Sequence, residues 1–358
     1  MSSSQQNTKT DRYPELDSLR GIAVLVVLFH HYLYDFDYHF NLLSNASTFS
    51  IYRFLQSALY YGYLGVHLFF IISGFVIFMT LERTKSTLDF IVSRISRLFP
   101  AYWAGICLTL LFLYFLPVPT LGNFSSKDIL LNLTMLQSFF KVRNIDQVYW
   151  TLKLELLFYV IMYIIYASKN LRHIIFICSI WLLLSLSTLY TSFPVKKYVD
   201  VLLILEFAPL FIAGILFYKI KKVNEVPLFF HLLILATFIV EVLWMSKIHM
   251  ADIFSLSILS FFYITFYIFS YKGIAFLNSK ILLFFGSISY SLYLIHNVIG
   301  YSIIYKIREF TQIKLVYILV PTIISVLLAY LLNILIERPS MVYIRNKYKF
   351  YKSKKGIL

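Results

Sequence analysis

The stretch 15-ELDSLRGIAVLVVLFHHYLY-34 carries an arginine, Arg20, at the head of an apolar run and two adjacent histidines, His30 and His31, near its foot. A membrane-spanning helix needs about 20 mostly apolar residues, and this run approaches that length. Ionisable groups inside such a helix are expensive and are functional suspects by default. On an α-helix, eleven residues rise roughly 16 Å and return to within about 20° of the starting face, whereas ten leave a divergence of about 80°. His31 is therefore expected to share the face of Arg20. His30 is expected to point elsewhere, with its polar tip near the membrane interface.

The rest of the chain reads in the same way. Of its 358 residues, 60% are hydrophobic and 14% are charged, and the mean hydropathy is +0.77. A soluble domain is typically about 45–50% apolar and about 25% charged. Both departures predict an all-α, polytopic transmembrane helical bundle. The net charge of +15 does not argue for nucleic acid, because the basic residues sit between apolar runs or in the C-terminal tail. Cys107 and Cys178 lie within apolar runs, so neither a disulfide nor a metal site is expected. The polar N-terminus lacks the pattern of a signal peptide.

Ten runs read as spans: 17–34, 63–80, 98–116, 149–166, 173–190, 201–218, 227–246, 253–270, 281–304 and 315–336. If the N-terminus is cytoplasmic, the connections and tails on that side hold 20 Lys and Arg, against 10 on the other. Positive residues favour the cytoplasmic side, so both termini are expected to face inward. Residues 1–15 read as a disordered cytoplasmic tail, 16–338 as the transmembrane domain and 339–358 as a basic cytoplasmic tail. The connection 117–148 is expected to hold a short amphipathic helix around 127–140.

This orientation converts position into depth. Arg20, Arg94 and Arg97 fall at the inner side. His31, His67, Glu155, Glu206 and His296 fall in the outer part, which predicts a cationic inner mouth and an imidazole–carboxylate cluster beyond it. Depth does not say which helices are neighbours. Each residue also has a plain structural reading, as a positive-inside anchor or an interhelical hydrogen bond. The 29 Tyr and 35 Phe are expected mainly at packing, lipid-facing and interfacial positions. The hydroxyls around Tyr290 read as contacts between helices.

Four segments together resemble the acyltransferase-3 family of integral-membrane acyltransferases that modify bacterial surface carbohydrates. They are 16-LDSLRGIAVLVVLFHH-31, 65-GVHLFFIISGFVI-77, 94-RISRLFPAYW-103 and 149-YWTLKLELLFY-159. The runs 289-SYSLYLIH-296 and 337-ERP-339 also fit. His67 departs from the pattern, since many relatives have Asp or another polar residue there. The resemblance implies a bacterial inner-membrane enzyme that moves an acyl group, usually acetyl, from cytosolic acyl-CoA to a carbohydrate or glycolipid hydroxyl, with no permanently bound cofactor. On that reading, Arg20, Arg94 and Arg97 meet the phosphates of acetyl-CoA, for which guanidinium is geometrically suited. His31 acts as general base, and Glu155 orients it or binds the acceptor. His67, Ser73, Gly74, Trp150, Tyr290 and His296 are further pocket candidates, with the small residues Ser73 and Gly74 allowing close approach of backbones or of the pantetheine arm. A secondary transporter with a His/Glu proton relay is the alternative reading, and a membrane scaffold is a third.

Overall fold

A chain in lipid must satisfy its own backbone N–H and C=O groups, and the helix does this within one segment. The computed structural model describes residues 13–36, 57–192 and 194–354, and every regular element among them is helical. Nine of the helices among the described residues are long and apolar enough to cross a membrane. We name the principal helices α1 (Pro14–His30), α2 (Gly65–Arg83), α3 (Thr87–Phe115), α4 (Ser126–Asn132), α5 (Tyr149–Ala167), α6 (Ile174–Tyr190) and α7 (Lys196–Leu202). The series continues with α8 (Ala208–Lys222), α9 (Leu228–Lys247), α10 (Ile253–Tyr271), α11 (Lys280–Ile307), α12 (Val316–Leu332) and α13 (Arg338–Lys354).

Local chemistry sets several starts. Proline at the head of α1 needs no N–H partner there. The Ser86 side chain accepts from the Asp89 N–H to open α3, while Ser125–Asp128 and Asp252–Ser255 form capping boxes for α4 and α10. The short helix expected near 127–140 is α4, followed by a 3₁₀ turn at Gln137–Phe140.

The centre of the bundle is made by α1, α2, α8 and α11. Helix α1 packs on α11 and α2, and α2 packs on α8. Nearly every residue of α8 is buried, which fits a helix that is apolar on all sides. Exposed apolar side chains such as Leu183, Leu232 and Phe261 lie on the outer helices α6, α9 and α10, the surface that lipid would cover.

Three expectations change. The run 201–218 is not one span: α7 ends at Leu202, an irregular turn follows, and α8 has only 15 residues, about 22 Å of helix. Residues 339–354 are helical and continue the last span through a π-helical turn at Asn333–Glu337. The expected tail 1–15 lies largely outside the described residues, but its last two positions, Pro14 and Glu15, already belong to α1.

Gly74 shows why small residues occur in α2. A Cβ there would run into the carbonyl oxygen of Phe211, and a Cβ on Gly214 would meet the facing backbone of α2. The pair lets α2 and α8 touch backbone to backbone, so Gly74 serves helix packing and does not line the cavities.

Candidate active site

Two cavities adjoin inside the bundle. The first, of about 490 Å³, is lined by Arg20 of α1, Arg94 and Arg97 of α3, and Arg345 of α13. Arg94 and Arg97 are three residues apart and so lie on one helix face. Glu155 of α5 is the carboxylate among the lining residues, giving four guanidinium groups to one acid. Ser73 donates to Glu155 Oε1 at 3.3 Å, and Tyr159 donates to the same oxygen. Arg20 lies 3.8 Å from the Asp17 carboxylate. The Arg94 guanidinium sits over the rings of Tyr159 and Phe90 at 5.7 and 5.9 Å, a cation–π arrangement. Tyr290 also lines this cavity, its hydroxyl donating to the Leu98 carbonyl at 2.9 Å.

Arg345 was not singled out in the sequence. Its helix folds against α3, where Arg345 Nε donates to Ser96 Oγ at 3.2 Å and Nη2 donates to the Ser93 carbonyl at 3.3 Å. One turn or so beyond, Tyr348 donates to Asp89 at 2.9 Å and Lys352 pairs with it at 3.0 Å. Met341, Arg345, Tyr348 and Lys352 recur at helical spacing on one face, and that was the available signal.

The second cavity, of about 380 Å³, contains His31, His67 and Trp150 among its lining residues. His31 Nδ1 lies 3.0 Å from Asp35 Oδ2, and Tyr301 donates to that oxygen at 2.9 Å. Residues His31–Asp35 form a π-helical turn at the end of α1. With Nδ1–H directed at Asp35, the lone pair of the ring is on Nε2. His30 also reaches this cavity, and its Nδ1 is 2.8 Å from the Leu59 carbonyl. His67 Nε2 pairs with Glu241 Oε1 at 3.3 Å. His296 is fully buried behind the cavity, its ring 5.3 Å from that of His31 and its Nδ1 2.9 Å from the Tyr293 carbonyl.

Val66 and Tyr293 line both cavities. Tyr293 is held in place by Thr151, 2.6 Å from its hydroxyl. The two side chains stand where the arginine chamber and the histidine chamber adjoin.

The expected pairing of His31 with Glu155 is not present. Glu155 belongs to the arginine chamber, and Asp35 takes the place beside His31. The cause is the connection before α5. Ile145, Asp146 and Val148 are buried, so α5 starts well inside the bundle, and Glu155, six residues further on, passes the histidines. Asp146 Oδ2 accepts from the Val298 N–H of α11 at 3.0 Å, and Oδ1 accepts from the Val148 N–H at 3.2 Å. Burial pushes the Asp146 carboxyl up to about 6 despite these two donors. Tyr149 at the start of α5 donates to the Leu294 carbonyl at 3.2 Å, so this junction is tied to α11 at two points.

Membrane-length helices closed around a two-chambered interior define a multi-pass membrane protein. A family model described as an acyltransferase domain matches residues 13–335. The chain belongs to this acyltransferase-3 family and is a membrane acyltransferase. No curated protein and no solved structure matches it.

Proposed function

We propose that the protein transfers an acyl group, acetyl in the first instance, from cytosolic acyl-CoA to a hydroxyl of a surface or extracytoplasmic carbohydrate, working in the bacterial inner membrane. The observation that carries this reading is the junction at Val66 and Tyr293, where a chamber rich in guanidinium meets one that holds an imidazole–carboxylate pair. The phosphates of coenzyme A suit Arg20, Arg94, Arg97 and Arg345, and its extended arm suits that junction. The acceptor occupies the histidine chamber.

In the proposed reaction, His31 Nε2 removes the proton from the acceptor hydroxyl as its oxygen bonds to the thioester carbonyl carbon. Asp35 holds Nδ1–H and stabilises the imidazolium, as the acid of a catalytic triad does. The C–S bond then breaks, and the leaving thiolate takes the proton back from His31. The products are the ester and free coenzyme A. Glu155, held by Ser73 and Tyr159, offsets part of the arginine charge and orients the donor side.

The test is mass spectrometry of the host's surface glycans after deletion of the gene and its return as wild type, His30→Ala or His31→Ala at matched membrane levels. An acetyl mass that returns with wild type and His30→Ala but not with His31→Ala is expected. No base-labile acyl group depending on the gene would reject glycan O-acylation. Loss with His30→Ala alone would reject His31 as the base.

A further inference from the structure

We infer that the histidine chamber is built for an uncharged, hydroxyl-rich acceptor and rejects anionic ones such as uronates. The inference rests on the proposed function in taking this chamber as the acceptor side. Three carboxylates line it, Asp35, Glu206 and Glu241, beside the imidazoles of His30, His31 and His67, and among the described lining residues there is no lysine or arginine, the permanently charged partners for an acid. Asp35 is committed to His31 and Tyr301. The other two acids have no role in the proton transfer.

Glu241 is almost wholly buried. Its Oε1 faces His67, but Oε2 is buried with no hydrogen-bond partner among the described residues, and His67 Nδ1 is in the same condition. A buried acceptor left unpaired is costly, and a rotation of the carboxylate towards the cavity would let a ligand hydroxyl satisfy it. Glu206 sits in the turn that separates α7 from α8, close enough to Glu241 and His67 for their charges to interact. That turn holds Ile204 at φ +47°, a left-handed conformation that a β-branched residue adopts only under strain. Irregular backbone within an apolar segment is tolerated where it is buried in protein or lines a cavity. Here the break delivers Glu206 and Phe207 to the cavity wall. The Phe207 and Trp150 rings lie 5.7 Å apart and offer an apolar surface for the C–H face of a sugar.

Ionised carboxylates only accept hydrogen bonds, so they pair well with hydroxyls. A ligand carboxylate would meet like charges inside the bundle, away from bulk solvent on the α9 side.

The experiment uses the full chain in lipid nanodiscs and two matched probes, methyl glucoside and methyl glucuronide. Binding of each is read by equilibrium dialysis, and acetyl transfer from acetyl-CoA is read separately. The glucoside is expected to bind at least about tenfold more tightly. Glu206→Gln and Glu241→Gln should each narrow that gap by at least about threefold, and Glu206→Gln decides alone if the buried variant does not fold. Equal binding of the two probes, binding of neither, or an unchanged gap in the variants overturns the inference. Transfer without charge discrimination would reject the inference and leave the proposed function standing. Discriminating binding without acyl transfer would do the reverse.

Discussion

His31 and Asp35 are separated by a single wide turn. The π-helical hydrogen bond runs from the Phe36 N–H to the His31 carbonyl, and such turns occur often at functional positions. Here it brings imidazole and carboxylate within 3.0 Å on one strand of backbone, with Tyr301 fixing the carboxylate from α11. Asp35→Asn keeps the size but removes the charge and the firm preference for Nδ1–H. Under the proposed function it should lower kcat by about 10²–10⁴-fold, by analogy with the triad acid. The KM for acyl-CoA should change little, because Asp35 lies outside the arginine chamber. Steady-state release of free thiol measures both constants. A change confined to KM would remove Asp35 from its positioning role.

At the scale of elements, α13 is the least expected contributor. A basic tail is usually a solvated surface, but this one returns Arg345 to the bundle and anchors itself through Asp89. Under the proposed function, Arg345→Gln should raise the KM for acyl-CoA by about 10–100-fold, the loss of one or two charge-assisted hydrogen bonds, with kcat nearly unchanged. Asp89→Asn, which loosens the anchor and touches no part of the chamber, should move KM in the same direction by less. Substrate titration of the two variants checks the order. The helices themselves were legible because apolar length alone announces a span. The exception, 201–218, has the composition of its neighbours, but Pro209 stands in the middle of the run at the head of α8; a proline there marks a helix start, and that was the signal available. Arg20, Arg94 and Arg97 were legible as a group because their depth follows from helix position. The partner of His31 was not. Asp35 stands just past the end assigned to the first span, and the buried start of α5, which carries Glu155 away from the histidines, depends on a long-range contact between Asp146 and Val298.

For the whole molecule, the arrangement of α1 matters most. One continuous helical segment supplies Arg20 to the first chamber and both His30 and His31 to the second, so the lining of the chambers does not separate the two histidines by face. The other walls come from helices spread along the chain, from α2 to α13, so the interior exists only when the bundle is complete. The two side chains shared by the chambers have a consequence for cargo under the proposed function. Under the proposed function, Val66 and a Tyr293 pinned by Thr151 act as a caliper on whatever passes with the thioester. Two carbons clear such an aperture more easily than six. Val66→Gly should therefore raise turnover of hexanoyl-CoA relative to acetyl-CoA by about tenfold, the order of discrimination that an apolar pocket can exert over methylene groups. Competition between the two donors, read by the masses of the esters formed, measures the ratio. An unchanged ratio would mean that donor length is gauged elsewhere; a raised one would make the choice of acyl chain a matter of bore, set apart from the residues that break and form bonds.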